Sequence, residues 1–259
     1  MMILVFLIYL AASTIGGICG IGGGVVIKPL LDAIGIMPVP TVSFLSGLTV
    51  LAMVCINVWK NRNGEELDTK RSIPLGIGAA VGGIAGKQMF SSLKTAVNND
   101  RIVGAVQAIV LGILVFCTLM YVLCKNRIRS RNVSGMIMPV LIGLFLGICS
   151  SFLGIGGGPM NLAVLYYFFS MSTKQAAVNS IFIILLSQTA SLIMTIVTHT
   201  VPNFSWGNLI AMVSAGALGG FLSACLHKKL SSELTDRLFI GLLIVIIGIC
   251  VYNTVQMLS

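Results

Sequence analysis

The hydropathy of the chain alternates between long apolar stretches and short polar ones. From the amino end, an apolar arm over 2–17 is followed by Gly20-Ile21-Gly22-Gly23-Gly24 and a second arm over 25–35. Spans follow at 40–59, 73–90 and 102–124, and then a basic stretch at 125–131. The order then repeats: an arm over 135–151, Gly154-Ile155-Gly156-Gly157-Gly158, an arm over 159–170, and spans at 176–198, 206–226 and 238–257. A membrane crossing needs about 20 mostly apolar residues. The pattern predicts an all-α integral membrane protein of two homologous halves, each a glycine-broken hairpin followed by three transmembrane helices.

The glycine runs interrupt arms that would otherwise continue as helix. Each glycine inside a helix costs roughly 1 kcal/mol against alanine, so three in a row mark a turn or a close approach to the backbone. At membrane depth such backbone persists only where protein or a polar cavity satisfies its N–H and C=O groups. Paired breaks at matching positions of two halves are the sequence signature of a transporter's binding site.

The second run lies 134 residues after the first, and Ser46/Ser180, Gly82/Gly216 and Gly86/Gly220 keep that offset. Asp100-Arg101 returns as Asp236-Arg237 at an offset of 136. The chain divides into a first membrane repeat over 1–124, a basic cytoplasmic connector over 125–134 and a second membrane repeat over 135–259. Arms of 16 and 11 residues reach only roughly 24 and 16 Å at 1.5 Å per residue, so each pair either crosses once or folds back. Loop charge separates the two arrangements. With arms that return, twelve basic residues fall on one face and Lys87, Lys94 and Arg101 on the other, the asymmetry expected of a cytoplasmic surface. With arms that cross, the bias vanishes. Returning arms leave each half an odd number of crossings, so the halves form an inverted repeat with both termini outside.

Composition narrows the partners. The 259 residues are 57% hydrophobic and 9% charged, against about 25% charged in soluble domains. The net charge of +9 is read as loop lysines and arginines facing anionic membrane lipid, with no nucleic acid partner. The seven cysteines lie in or beside apolar spans and read as packing residues. No metal-ligand set and no cofactor motif occurs, and no Walker motif points to ATP hydrolysis. Oligomeric state is not legible.

The candidate site follows from the turns. In an inverted repeat they meet near the bilayer midplane, where Gly22, Gly23, Gly24, Gly156, Gly157 and Gly158 expose amides and each following arm begins a short helix. A helix amino terminus carries about half a positive charge and unpaired donors, a ready anion site. Pro159 suits the first position of a helix, whereas Pro29 suggests a late or kinked start for the first arm. The alternative is that the glycines only let backbones pack closely, which is the reading preferred for Gly78, Gly82, Gly86, Gly216 and Gly220. Lys28 lies at membrane depth and is the counter-charge of an anion, the partner of Asp32, or a residue reaching to the interface. The matched Ser46 and Ser180, and Asn161 after the second turn, are hydroxyl and amide donors either to an oxyanion or between helices. Asn57, Gln107 and Gln188 read as contacts between helices.

Doubled G-x-G-G-G after apolar arms, a proline start, a serine-bearing span and GxxxG spans together resemble the TauE/SafE family of sulfite-exporter-like membrane permeases. The resemblance extends over essentially the whole chain. It implies a multi-pass protein of the cell membrane, not an enzyme, that moves a small anionic substrate such as sulfite or an organosulfonate by a gradient, with export favoured by the membrane potential. The rival classes are a membrane-embedded enzyme and a non-transporting assembly partner. Neither an aspartate pair nor a Ser/His set lies at depth, and a scaffold needs no paired breaks.

Overall fold

A computed structural model of the chain describes residues 2–34, 37–61, 67–97, 99–125, 128, 130–131, 133, 135–155 and 157–258. Among these the regular structure is helical throughout. In chain order the helices are α1 (Met2–Cys19), α2 (Gly24–Ile34), α3 (Val39–Asn61), α4 (Thr69–Val97), α5 (Asp100–Cys124), α6 (Ile137–Leu153), α7 (Pro159–Phe169), α8 (Thr173–Val197), α9 (Trp206–Lys229) and α10 (Ser232–Leu258). Each apolar stretch of the sequence is one helix, and each glycine run is a break between two.

Among the described residues, five helices are long and apolar enough to cross a membrane: α3, α5, α8, α9 and α10. Helix α4, at 29 residues, is longer than any of them, but its glycines and Lys87 dilute its hydropathy. Exposed side chains such as Ile113, Phe116, Leu141, Phe145, Ile210, Ile244 and Val251 give the bundle an apolar outer surface. Many serines, threonines and asparagines are buried inside. Polar groups turned inward and apolar groups outward suit a lipid solvent.

Sequence caps set several boundaries. Asn99 precedes α5 and accepts from the Arg101 amide at 3.0 Å. Ser172 and Gln175 close a capping box at the start of α8. Pro29 neither delays nor ends α2, which runs unbroken from Gly24 to Ile34. The Asn253 side chain donates to the Pro29 carbonyl at 2.7 Å.

Glycines decide how the helices pack. A Cβ on Gly78, Gly82 or Gly86 of α4 would strike the carbonyl oxygens of Val140, Leu144 and Ile148 on α6. In return, Gly143 and Gly147 of α6 lie against the carbonyls of Leu75 and Ala79. On the other side of the bundle, Gly216 and Gly220 of α9 pack against the carbonyls of Thr49 and Met53 on α3. This is small-residue backbone packing, the main source of helix affinity in lipid.

The pairings of the two halves mirror one another. Helix α4 packs on α6 and α8, while α9 packs on α1 and α3; α3 meets α8, and α5 meets α10. Exchanging the first five helices for the last five leaves this set of pairings unchanged. The same exchange holds at single residues. Gly20 lies against Ala177 and Gly154 against Ser43, and both members shift by 134 positions between the two contacts.

The first glycine turn folds the chain back on itself. A Cβ on Gly23 would lie 2.8 Å from Ser13 Cα, although ten residues of continuous helix would hold them roughly 15 Å apart. Tyr9 and Ala12 of α1 share a buried cluster with Ile27 and Leu31 of α2. The α1–α2 pair is a hairpin.

Candidate functional site

Backbone geometry makes the first turn a glycine site. Gly20 and Gly22 both have φ of +76°, a region other residues rarely enter. Close neighbours fill the space a side chain would need: the Ala177 backbone at Gly20, Ser13 at Gly23 and the Ile155 carbonyl oxygen at Gly24. The last of these contacts joins the two glycine turns. The amides of Gly22, Gly23 and Gly24 donate to no acceptor among the described residues. Helix α2 therefore begins with unpaired donors inside the bundle.

The second turn is built differently. Gly154 ends α6 in the left-handed region at φ +65°, and Gly157, at φ +136°, lies against the Ile184 side chain. Gly156 lies outside the described residues. Gly158 has extended backbone that any residue adopts, φ −158° and ψ 167°. A Cβ there would sit 3.5 Å from its nearest neighbour, Ile155 Cδ1, an ordinary contact. Gly158 borders a small cavity of about 20 Å³ at the start of α7, together with Ser150, Asn161 and the apolar side chains of Leu111, Leu146 and Leu153. The Ser150 hydroxyl is buried without a partner among the described residues. Ser150, Asn161 and the amino terminus of α7 thus border one small cavity, but the surface that faces its interior is apolar.

Ser46 is committed to the scaffold, since its hydroxyl reaches the carbonyls of Ser43 and Gly154, each at 3.2 Å. It tethers the second turn to α3. Its counterpart Ser180 is fully buried and its hydroxyl has no partner among the described residues. Ser180 sits one helical turn beyond Ala177, where the first turn docks.

Lys28 is 3% exposed. Its ammonium donates to Asp32 Oδ2 at 2.8 Å and to Gln107 Oε1 at 3.0 Å. Gln107 in turn donates to the Phe152 carbonyl at 2.6 Å. One lysine therefore ties α2 to α5 and, through Gln107, to the end of α6. Of the three readings open for Lys28, the geometry shows the pair with Asp32. Asp32 Oδ1 has no partner among the described residues.

The ends of the bundle differ. At one end, Lys125 of α5 pairs with Asp236 at 2.5 Å, and Thr173 of α8 donates to the same carboxylate at 2.9 Å. The matching residues at the other end are Asp100 and Val39. They border a cavity of about 510 Å³ that reaches Asp32, and Asp100 has no ion pair among the described residues. One mouth is latched and the other is open.

Sequence reasoning missed Ser13, Ser43, Ser150 and Ser151, all buried at the turns with hydroxyls that have no partner among the described residues. Ser43 faces Gly154, but the repeat gave no hint because its counterpart is Ala177. Ser150 and Ser151 immediately precede the second turn, a position that would have flagged them. Lys87, counted among outer-loop charges, lies inside α4. Among the described residues no His, Cys, Asp and Glu cluster could hold a metal ion.

The family model described as "Sulfite exporter TauE/SafE" matches residues 5–249. The "Probable membrane transporter protein YunE" of Bacillus subtilis (strain 168) is 22% identical over 269 aligned residues, covering 92% of this chain and 93% of that protein. No solved structure matches.

Proposed function

Since the chain belongs to the TauE/SafE sulfite exporter family, we propose that it is a secondary transporter exporting small sulfur-containing anions such as sulfite or organosulfonates. That it is a multi-pass membrane transporter and not an enzyme follows from the family. The anion and the direction are our reading. The observation that carries it is the contact between the two glycine turns. This contact brings the start of α2 against Ile155 of the second turn inside the bundle, with unpaired donors at Gly22–Gly24 and the cavity that Ile155 shares with Gly158, Ser150 and Asn161 alongside. Backbone amides and hydroxyls suit an oxyanion, whose charge they stabilise with no compensating cation.

The two halves act as an inverted repeat that rocks about this centre. The reciprocal helix pairings favour two bodies moving against each other, and the latched and open mouths are the difference that alternating access requires. With the basic loops inside, the open Asp100 mouth faces outward. A membrane potential, negative inside, drives an anion out by about 2.3 kcal/mol per charge for every 100 mV. No ATP is needed.

The test is flux. Purified protein in proteoliposomes should exchange radiolabelled sulfite saturably, and an imposed interior-negative potential should accelerate efflux. Potential-independent leak equal to that of empty vesicles, with sulfite, taurine and methanesulfonate alike, would exclude the proposal.

A further inference from the structure

Lys28 is spent on Asp32, which leaves the question of where a bound anion finds a full positive charge. Two other cations of α3 and α4 are engaged too. Arg71 pairs with Asp68 at 3.6 Å, and Lys60 lies over the Phe221 ring and donates to Cys225 Sγ. Lys70, Lys94 and Lys174 lie near the ends of α4 and α8, whereas Lys87 lies well inside its helix. It sits eighteen residues into α4, within the bundle, half-buried, with no carboxylate partner among the described residues. Its ammonium has only a distant ring contact, 5.7 Å from the Phe90 centroid. Uncompensated lysines in membrane bundles are costly and mark ligand paths.

The surroundings of Lys87 supply what an oxyanion needs. Lys87 borders a small cavity of about 30 Å³ between α3 and α8, together with Ser43, Gly47, Gln188, Ser191 and Thr195. Ser43 is the residue on which Gly154 of the second turn docks, and its hydroxyl is buried without a partner among the described residues. Gln188 faces Gly47, where a Cβ would lie 3.2 Å from Oε1. One cation, the hydroxyls of Ser43 and Ser191 and an amide therefore line a pocket whose inner wall, Ser43, is shared with the turn, while Thr195 donates to the Ser191 carbonyl at 2.8 Å. The pocket lies toward the amino end of α3 and the carboxyl end of α8, on the side of the open mouth at Val39 and Asp100.

We infer that this pocket is a second anion station, in which Lys87 supplies the counter-charge and Gln188 and the hydroxyls of Ser43 and Ser191 supply hydrogen bonds to a small oxyanion between the glycine turns and the outer face. The inference rests on the transport reading for the anion's route and not for its binding. A matched station is absent from the other half, because Phe221 stands where the repeat places Lys87. The two ends of the path therefore hold the anion unequally. The outer station retains it after it leaves the turns and releases it to the outside.

The test uses the full-length protein in detergent, with sulfite, sulfate and methanesulfonate as probes in calorimetric titrations. Acetylation of lysines by acetic anhydride is followed in parallel by mass spectrometry, with the exposed Lys94 as internal control. At least one probe should bind and slow Lys87 acetylation several-fold while leaving Lys94 unaffected. Lys87→Gln should weaken that binding by about tenfold or more, and Lys87→Arg should keep it within a few-fold. Unchanged affinity in Lys87→Gln, or Lys87 acetylation indifferent to all three anions, overturns the inference. So does protection by phosphatidylglycerol in mixed micelles and by no free oxyanion, since that would make Lys87 a lipid contact. Protection without flux in proteoliposomes would leave the station standing and remove the transport reading. Normal flux with unaltered binding in Lys87→Gln would do the reverse.

Discussion

Gly158→Ala separates a glycine kept for packing from a glycine kept for a ligand. At Gly24 the two roles cannot be told apart, because a Cβ there collides with the Ile155 carbonyl oxygen. Gly24→Ala should cost about 1–3 kcal/mol as an overpacked site, and lost transport would then say little. Gly158 has extended backbone, and its Cβ would meet only Ile155 Cδ1 at 3.5 Å. The methyl group enters the small cavity of about 20 Å³ beside Ser150 and Asn161. Folding should be unharmed or favoured by about 0.4–1 kcal/mol, because alanine restricts the unfolded chain. If the start of α7 holds the anion, that methyl group keeps it from the amides. Loss of one charged hydrogen bond, worth roughly 1.5–3 kcal/mol, weakens binding by about tenfold or more. The assay pairs thermal unfolding in detergent with sulfite flux in proteoliposomes. A Gly158→Ala protein that is as stable as the parent and transports normally would refute anion binding at the α7 terminus.

Other outcomes follow from the same contacts. Lys28→Gln leaves Asp32 buried and unpaired, so it should lose about 3–5 kcal/mol of stability, and adding Asp32→Asn should restore most of it in denaturation experiments. Gly220→Ala should destabilise the α3–α9 packing by about 1–3 kcal/mol while flux per folded molecule stays near the parent value. In a cysteine-free protein, a cysteine at Ser130 should resist impermeant thiol reagents in whole cells and one at Asn203 should react; the opposite pattern would reverse the orientation and the inverted repeat.

Much of this protein is legible without coordinates because its solvent is lipid. Spans of about 20 apolar residues and glycine runs that no helix tolerates are local properties, so all ten helices and both turns can be read from the chain. The doubling of the turns, and of the serines at 46 and 180, is equally local. The Lys28–Asp32 pair was also within reach, since residues four apart share a helix face. What the sequence leaves open is which groups meet across helices. Gln107 stands 79 residues from the lysine it binds, and Ser46 stands 108 residues from the carbonyl it holds. Ser43 escaped notice because its repeat partner is an alanine, and Lys87 passed for a loop charge because hydropathy does not distinguish a helix interior from its end in a glycine-rich span. Helix and break are fixed by neighbours along the chain. Whether a hydroxyl or an ammonium inside the bundle is already satisfied depends on partners about a hundred residues away, and only packing brings those together.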